Sequence, residues 1–196
     1  MQRILLSSLF FLITLTITAQ QEQTLFNSGR GISLTGFWAG GNSSLYDFQD
    51  NKTLSNGGYA TFEFNNNFLI GWSGYKSDIT NQGQEIDIDG NDVLLGYAFQ
   101  SKRVVHPILY TQFGSSRLEV EDLGSDRVFV VQPSLGLEVN VTRFFRLGVD
   151  GGYRFFSGND LPGFSDADFS GPTLGLRLKF GWSWGGNDWG DSWDDF

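Results

Sequence analysis

Residues Asp168–Trp184 read DFSGPTLGLRLKFGWSW, and this stretch decides the fold. Leu174, Leu176, Leu178, Phe180, Trp182 and Trp184 alternate with Gly175, Arg177, Lys179, Gly181 and Ser183. A two-residue period is that of a β-strand, whose successive side chains point to opposite faces. One face is wholly apolar and ends in aromatics; the other is small or cationic. Two environments meet at this strand, and the apolar face is the one that suits lipid.

The same period recurs along the chain. Eight strand-like runs are expected, at about Gly31–Tyr46, Gly58–Phe64, Phe68–Ile79, Asp87–Gln100, Val104–Leu118, Arg127–Val141, Phe144–Ser157 and Phe169–Trp184. In the sixth, Phe129, Val131, Pro133, Leu135, Leu137, Val139 and Val141 oppose Gln132, Ser134, Gly136, Glu138 and Asn140. In the seventh, Phe145, Leu147, Val149, Tyr153 and Phe155 oppose Arg146, Gly148, Asp150, Gly152 and Arg154. Weaker alternation places Val93, Leu95, Tyr97 and Phe99 together, likewise Phe68, Ile70 and Trp72, and likewise Ile32, Leu34 and Trp38. The second and fifth runs choose no face.

Connections alternate in length. Asn65–Asn67, Ser101–Arg103 and Thr142–Arg143 are short turns. Asp47–Gly57, the segment from Ser77 into Asp92, Glu119–Asp126 and Gly158–Asp168 are longer and rich in Asn, Asp, Ser and Gly, so they read as loops. Short turns at one end and long loops at the other describe an up-and-down transmembrane barrel with both mature termini in the periplasm.

The charges separate this barrel from a soluble one. A soluble barrel places Lys, Arg and Asp outside, whereas here the charged face is also the glycine face, which suits a narrow lumen filled by side chains. Buried charges need partners. The expected lumenal network is Glu138, Arg146, Asp150, Arg154, Arg177 and Lys179. With a turn centred on Thr142, Glu138 lies opposite Arg146, and Asp150 is the nearest counter-ion for the basic residues of the last strand.

The start of the chain has a single cation, Arg3, then an apolar stretch from Ile4 to Ile17 and a small-residue boundary at Thr18-Ala19. This reads as a secretory signal peptide over residues 1–19, its apolar part being shorter than the ~20 residues of a spanning helix. Residues 20–184 then form the barrel. Residues 185–196, GGNDWGDSWDDF, form an acidic Trp-containing tail on the periplasmic side.

Composition narrows the chemistry. There is no cysteine, so thiolate catalysis and Cys-ligated metal sites are excluded. A net charge of −9 without clustered cations argues against nucleic-acid partners. His106 is the sole histidine, and Ser115, Ser116 and Ser134 form no readable triad with it. Glu85-Ile86-Asp87-Ile88-Asp89-Gly90 begins like a calcium loop, but the twelfth position is Gly96 instead of a bidentate Glu. No catalytic residue, cofactor or metal site is therefore assigned.

The mature chain resembles the small outer-membrane β-barrels of the OmpA-transmembrane and OmpX type. In the last strand Thr173, Gly175, Leu178 and Phe180 resemble the insertion signal of such proteins, which implies recognition by the barrel-assembly machinery. The resemblance also implies outer-membrane lipid and lipopolysaccharide as surroundings. The expected role is structural or interactive, through acidic extracellular loops and without a wide pore. Two alternatives stay open: a lipid-A-modifying outer-membrane enzyme, and a soluble lipocalin-like binder suggested by Gly36-Phe37-Trp38.

Overall fold

A computed structural model describes residues 31–48, 51–81, 84–121 and 123–184. The signal segment and the acidic tail lie outside the described residues. Eight antiparallel strands close on themselves in sequence order: β1 (Leu34–Phe48), β2 (Asn51–Phe64), β3 (Phe68–Asn81), β4 (Gln84–Ala98), β5 (Val105–Val120), β6 (Gly124–Asn140), β7 (Phe145–Ser157) and β8 (Gly171–Ser183). One helical turn, α1 (Asp166–Phe169), precedes β8. Closure comes from β1 pairing with β8, from Gly36↔Ser183 to Tyr46↔Thr173, which removes both sheet edges.

The short turns lie where expected. Asn65 and Asn66 carry φ of 52° and 60°, the left-handed pair that a two-residue hairpin needs and that asparagine tolerates, and the Asn67 amide donates to Phe64 O. Gln100 with φ 56° starts the second turn. In the third, the amides of Val141 and Thr142 both donate to Phe145 O. The β6–β7 register therefore pairs Asn140 with Arg146 and Glu138 with Gly148, two residues from the expected Glu138–Arg146 opposition.

Three of the four expected loops are largely strand. Asp47–Gly57 supplies the far end of the β1–β2 hairpin, Ser77–Asp92 that of β3–β4, and Glu119–Asp126 that of β5–β6. In the β3–β4 segment the charged residues from Asp78 to Asp89 occupy one strand face while the other carries the buried Ile79, Ile86 and Ile88, next to the buried Leu118 and Val128 of β5 and β6. The two-residue period persists there with its polarity reversed. The β7–β8 connection is a loop, with Gly158 and Gly163 at φ of 91° and 86°.

Outward facing follows the expected sets in β3, β4, β6, β7 and β8. Leu174, Leu176, Leu178 and Phe180 are exposed, whereas Arg177 and Lys179 are buried inside. The second and fifth strands now have clear faces, with Tyr59, Thr61 and Glu63, and His106, Ile108, Tyr110 and Gln112, directed inward. In β1 the expected set breaks: Leu34 is 40% exposed but Trp38 is 0% exposed. A register shift between Leu34 and Gly36 inverts the phase and turns the indole into the lumen.

The interior has two storeys. Near the short turns an ionic network lies beside a buried cluster of Trp38, Tyr59, Leu69, Leu94, Ala98, Ile108 and Tyr110. Toward the long-hairpin end, Tyr46, Phe48, Tyr75, Ile79, Ile86, Ile88, Leu118, Val120, Val128, Val130 and Phe156 form one apolar cluster, closed by Leu161 and Phe169 from the β7–β8 loop. Phe169 meets Phe48 at 5.3 Å, Phe164 at 5.5 Å and Phe156 at 6.0 Å between ring centroids.

Candidate functional site

The lumenal network starts at Glu138, whose carboxylate is 2% exposed. Its Oε2 lies 2.7 Å from Lys179 Nζ and accepts from the Tyr110 hydroxyl at 3.4 Å. Its Oε1 is 3.4 Å from Arg146 Nη1 and 3.2 Å from His106 Nε2. The ionic contact with Arg146 thus forms diagonally across β6 and β7, because both side chains point inward two positions apart. Lys179 turns to Glu138 and not to Asp150, which corrects the expected pairing.

Glu63 is the second lumenal acid and was not among the expected network. It accepts from Trp38 Nε1 at 3.1 Å and from Arg146 Nη1 at 3.4 Å, and Ser183 Oγ donates to it. The Arg146 guanidinium stacks 3.9 Å above the Trp38 ring, so one cation bridges two carboxylates over an indole. Alternation of Tyr59, Thr61 and Glu63 with Ala60 and Phe62 was the available sign, too brief to choose a face.

Two further layers follow along the axis. Arg177 Nε donates to Asp150 Oδ2 at 2.7 Å, and its guanidinium lies 4.4 Å from Tyr110 and 5.6 Å from Tyr59. Gly175 makes this layer possible, since a Cβ there would meet both Asp150 oxygens at 3.1 Å. Arg154 Nε donates to Gln132 Oε1 at 2.6 Å and stacks 4.1 Å from Tyr75, whose ring fills the space over Gly90. Every residue of the expected network is lumenal, and each layer couples a cation to an acceptor and an aromatic face.

His106 is wholly buried; its Nδ1 lies 3.2 Å from Arg103 O and its Nε2 faces Glu138. Among the described residues no serine hydrogen-bonds to it. Ser115 is exposed on the outer wall, while Ser116 binds the Tyr75 hydroxyl at 2.6 Å. No group of three or more His, Asp or Glu able to hold a metal ion occurs among the described residues. Within the insertion-signal set, Thr173 and Gly175 face the lumen, and Leu178 and Phe180 face outward.

The outer wall carries aromatic contacts near the short turns: Tyr97 with Phe99 at 4.8 Å, Phe145 with Phe180 at 4.7 Å and Trp182 with Trp184 at 6.4 Å. Trp72, Phe129, Tyr153 and Phe155 are exposed toward the other end. Beyond them the wall turns charged. Lys76, Asp89, Arg117 and Arg127 are register partners across β3 to β6, and Asp78, Asp87 and Glu119 form the next row. Lys76 Nζ is 2.8 Å from Asp89, which raises its pKa through that hydrogen bond and charge. Local desolvation, then the neighbouring Asp78 and Glu119 charges, raise the Asp87 pKa.

No family model matches the chain, and no curated protein matches it in sequence. The fold is nevertheless well represented among solved structures. Neisserial surface protein A superposes with a TM-score of 0.55 at 15% identity, over 79% of this chain and 100% of that one. The N-terminal β-barrel domain of OprF from Pseudomonas aeruginosa gives 0.54 at 11% identity, over 76% and 98%. The chain has the fold of the small eight-stranded outer-membrane barrels. The apolar wall around an ionic lumen is the inverse of a lipocalin-like interior.

Proposed function

Starting from that fold, we propose that the protein is an outer-membrane barrel with a structural or interaction role, exposing an acidic extracellular rim and conducting no diffusive current. Its mature termini face the periplasm. The reading is supported above all by a change of wall polarity: apolar side chains cover the outside of the ionic storey, and over β3 to β6 charged ones cover the outside of the apolar storey. Hydrocarbon suits the first wall and water the second. The expected acidic loops become an acidic rim borne mostly on strand extensions.

The closed lumen argues against a pore. Arg146, Lys179, Arg177 and Arg154 fill it in layers, and Phe169 and Leu161 cover its extracellular end. Outer-membrane lipid and lipopolysaccharide are the proposed surroundings, and the assembly machinery the proposed partner at Thr173, Gly175, Leu178 and Phe180. The reading assigns no catalysis, in keeping with the buried, carboxylate-paired His106.

Outer-membrane fractionation with a heat-modifiability gel tests the location: the unboiled protein should migrate differently from the boiled one and sediment with outer membranes. Recovery in a detergent-free soluble fraction would overturn the reading. Planar-bilayer recordings should show no sustained open current. Lipid A mass should be unchanged by expression of the protein, whether His106 is present or replaced by Ala.

A further inference from the structure

Where the outer wall changes from apolar to charged, β2 to β6 form a groove of about 690 Å³. Gly74, Asn91 and Ser115 make its floor, and Trp72, Phe113 and Phe129 flank it. These floor residues are themselves register partners, Gly74↔Asn91↔Ser115, one row before Lys76, Asp89 and Arg117. Trp72 is 67% exposed, so its indole is free to lie along an acyl chain or a sugar face. The floor offers an amide and a hydroxyl to a ligand lying along the wall.

The next row supplies positive charge. Lys76, Arg117 and Arg127 place three exposed cations in a row that holds one acid, Asp89, with Asp78, Asp87 and Glu119 in the row beyond. Among the described residues no carboxylate lies in ion-pair range of Arg127. Arg117 reaches Glu119 only at 3.6 Å and donates to Ser125 at 3.1 Å. Asp78, Asp87 and Glu119 in the following row repel an anion from any position farther out, which confines a phosphate to the cation row.

We infer that this groove docks the phosphorylated headgroup of an outer-leaflet lipid, with phosphate on Lys76, Arg117 and Arg127, sugar on Asn91 and Ser115, and acyl chain against Trp72 and Phe113. The inference rests on the membrane reading above. A guanidinium fork can hold two oxygens of one phosphate, so Arg117 and Arg127 suit a phosphate that offers three. The occupant is a membrane lipid and not free phosphate, because half of the groove is aromatic wall that inorganic phosphate leaves unused.

Native mass spectrometry of the folded, detergent-solubilised chain with bis-phosphorylated lipid A provides the test. The parent should retain the lipid, and K76A/R117A/R127A should retain about tenfold less, as should the parent offered the dephosphorylated lipid. K102A/R103A/R143A, an equal charge change at the short turns, should stay within about twofold of the parent. Arg127→Glu alone should fall in the same direction and covers the case in which the triple variant does not fold. Retention by the first triple variant within about twofold of the parent overturns the inference, as does an equal loss in the short-turn variant. Displacement of the lipid by millimolar inorganic phosphate would make this a free-phosphate site and also overturn it. A parent that inserts into vesicles and shows heat modifiability, yet ignores the lipid phosphates, defeats the docking alone; a parent that does neither defeats the membrane reading.

Discussion

Two storeys of one barrel use the same strands with opposite chemistry. In β6 the outward residues near the short turn are Val139, Leu137, Leu135, Pro133 and Val131, over an interior of Glu138, Ser134 and Gln132. A few residues along the same strand, Arg127 faces outward and Val130 and Val128 are buried. Strand β4 repeats the outer change, passing from outward Tyr97 and Leu95 to outward Asp89 and Asp87, while its inward side runs from Ala98 and Leu94 through Asp92 to Ile88 and Ile86. Backbone period and register are continuous across the change. Only the solvent outside differs, and the side chains follow it, so facing reports the surroundings more directly than strand geometry does.

The largest difference between the storeys is expected from removing a lumenal charge. Glu138→Ala leaves Lys179 without its acid and Arg146 with Glu63 alone, and breaking such a buried pair costs about 3–5 kcal/mol. Urea titration of the folded barrel in vesicles should show that loss. A cost below about 1 kcal/mol would mean that lumenal water replaces the carboxylate.

Next comes the wall. Leu135→Arg places a cation on the outward face of the ionic storey and should cost about 2–4 kcal/mol, whereas Thr80→Arg, outward on the apolar storey, should stay within about 0.5 kcal/mol. Equal effects at the two positions would erase the comparison. Inside the apolar storey, Leu118→Ala should cost about 2–3 kcal/mol through lost transfer and a cavity. The loss should appear first as faster proteolysis of the β7–β8 loop, because Phe169 and Leu161 belong to the same cluster as Leu118.

The smallest effect belongs to the acidic row. The Asp87 pKa is raised in the folded protein, so its protonation favours the fold. Its contribution is present below the unfolded carboxylate pKa and is lost as pH rises through the folded value. Asp87→Asn should therefore be neutral or slightly stabilising at pH 7, and its difference from the parent should vanish toward pH 4. A variant less stable at pH 7 would show that Asp87 is attractively paired.

The ionic storey was legible because polar and apolar residues separate cleanly there: Leu174 to Trp184 and Phe129 to Val141 name their faces, and all six expected network residues are lumenal. The apolar storey was not. Glu85-Ile86-Asp87-Ile88-Asp89-Gly90 keeps strand period, but its Asp and Gly content is also that of turns, and its sign is inverted relative to the wall below. Trp38 was misplaced because a single bulge flips every later residue of β1, and a bulge leaves no trace in periodicity. Glu63 was missed for want of a long enough run. Lys179 pairs with Arg146 in register and Arg177 with Gly148, so Asp150 falls to Arg177 and Lys179 reaches Glu138, a choice among inward neighbours that alternation alone does not rank.

The reversal of wall polarity can be measured without disturbing the lumen. The cysteine-free chain accepts single spin labels at Leu135 and at Thr80, and power saturation in vesicles with oxygen and a water-soluble nickel chelate reads which solvent each meets. Oxygen should dominate at Leu135 and nickel at Thr80. Nickel dominance at both would contradict a lipid-facing ionic storey and with it the account of this barrel.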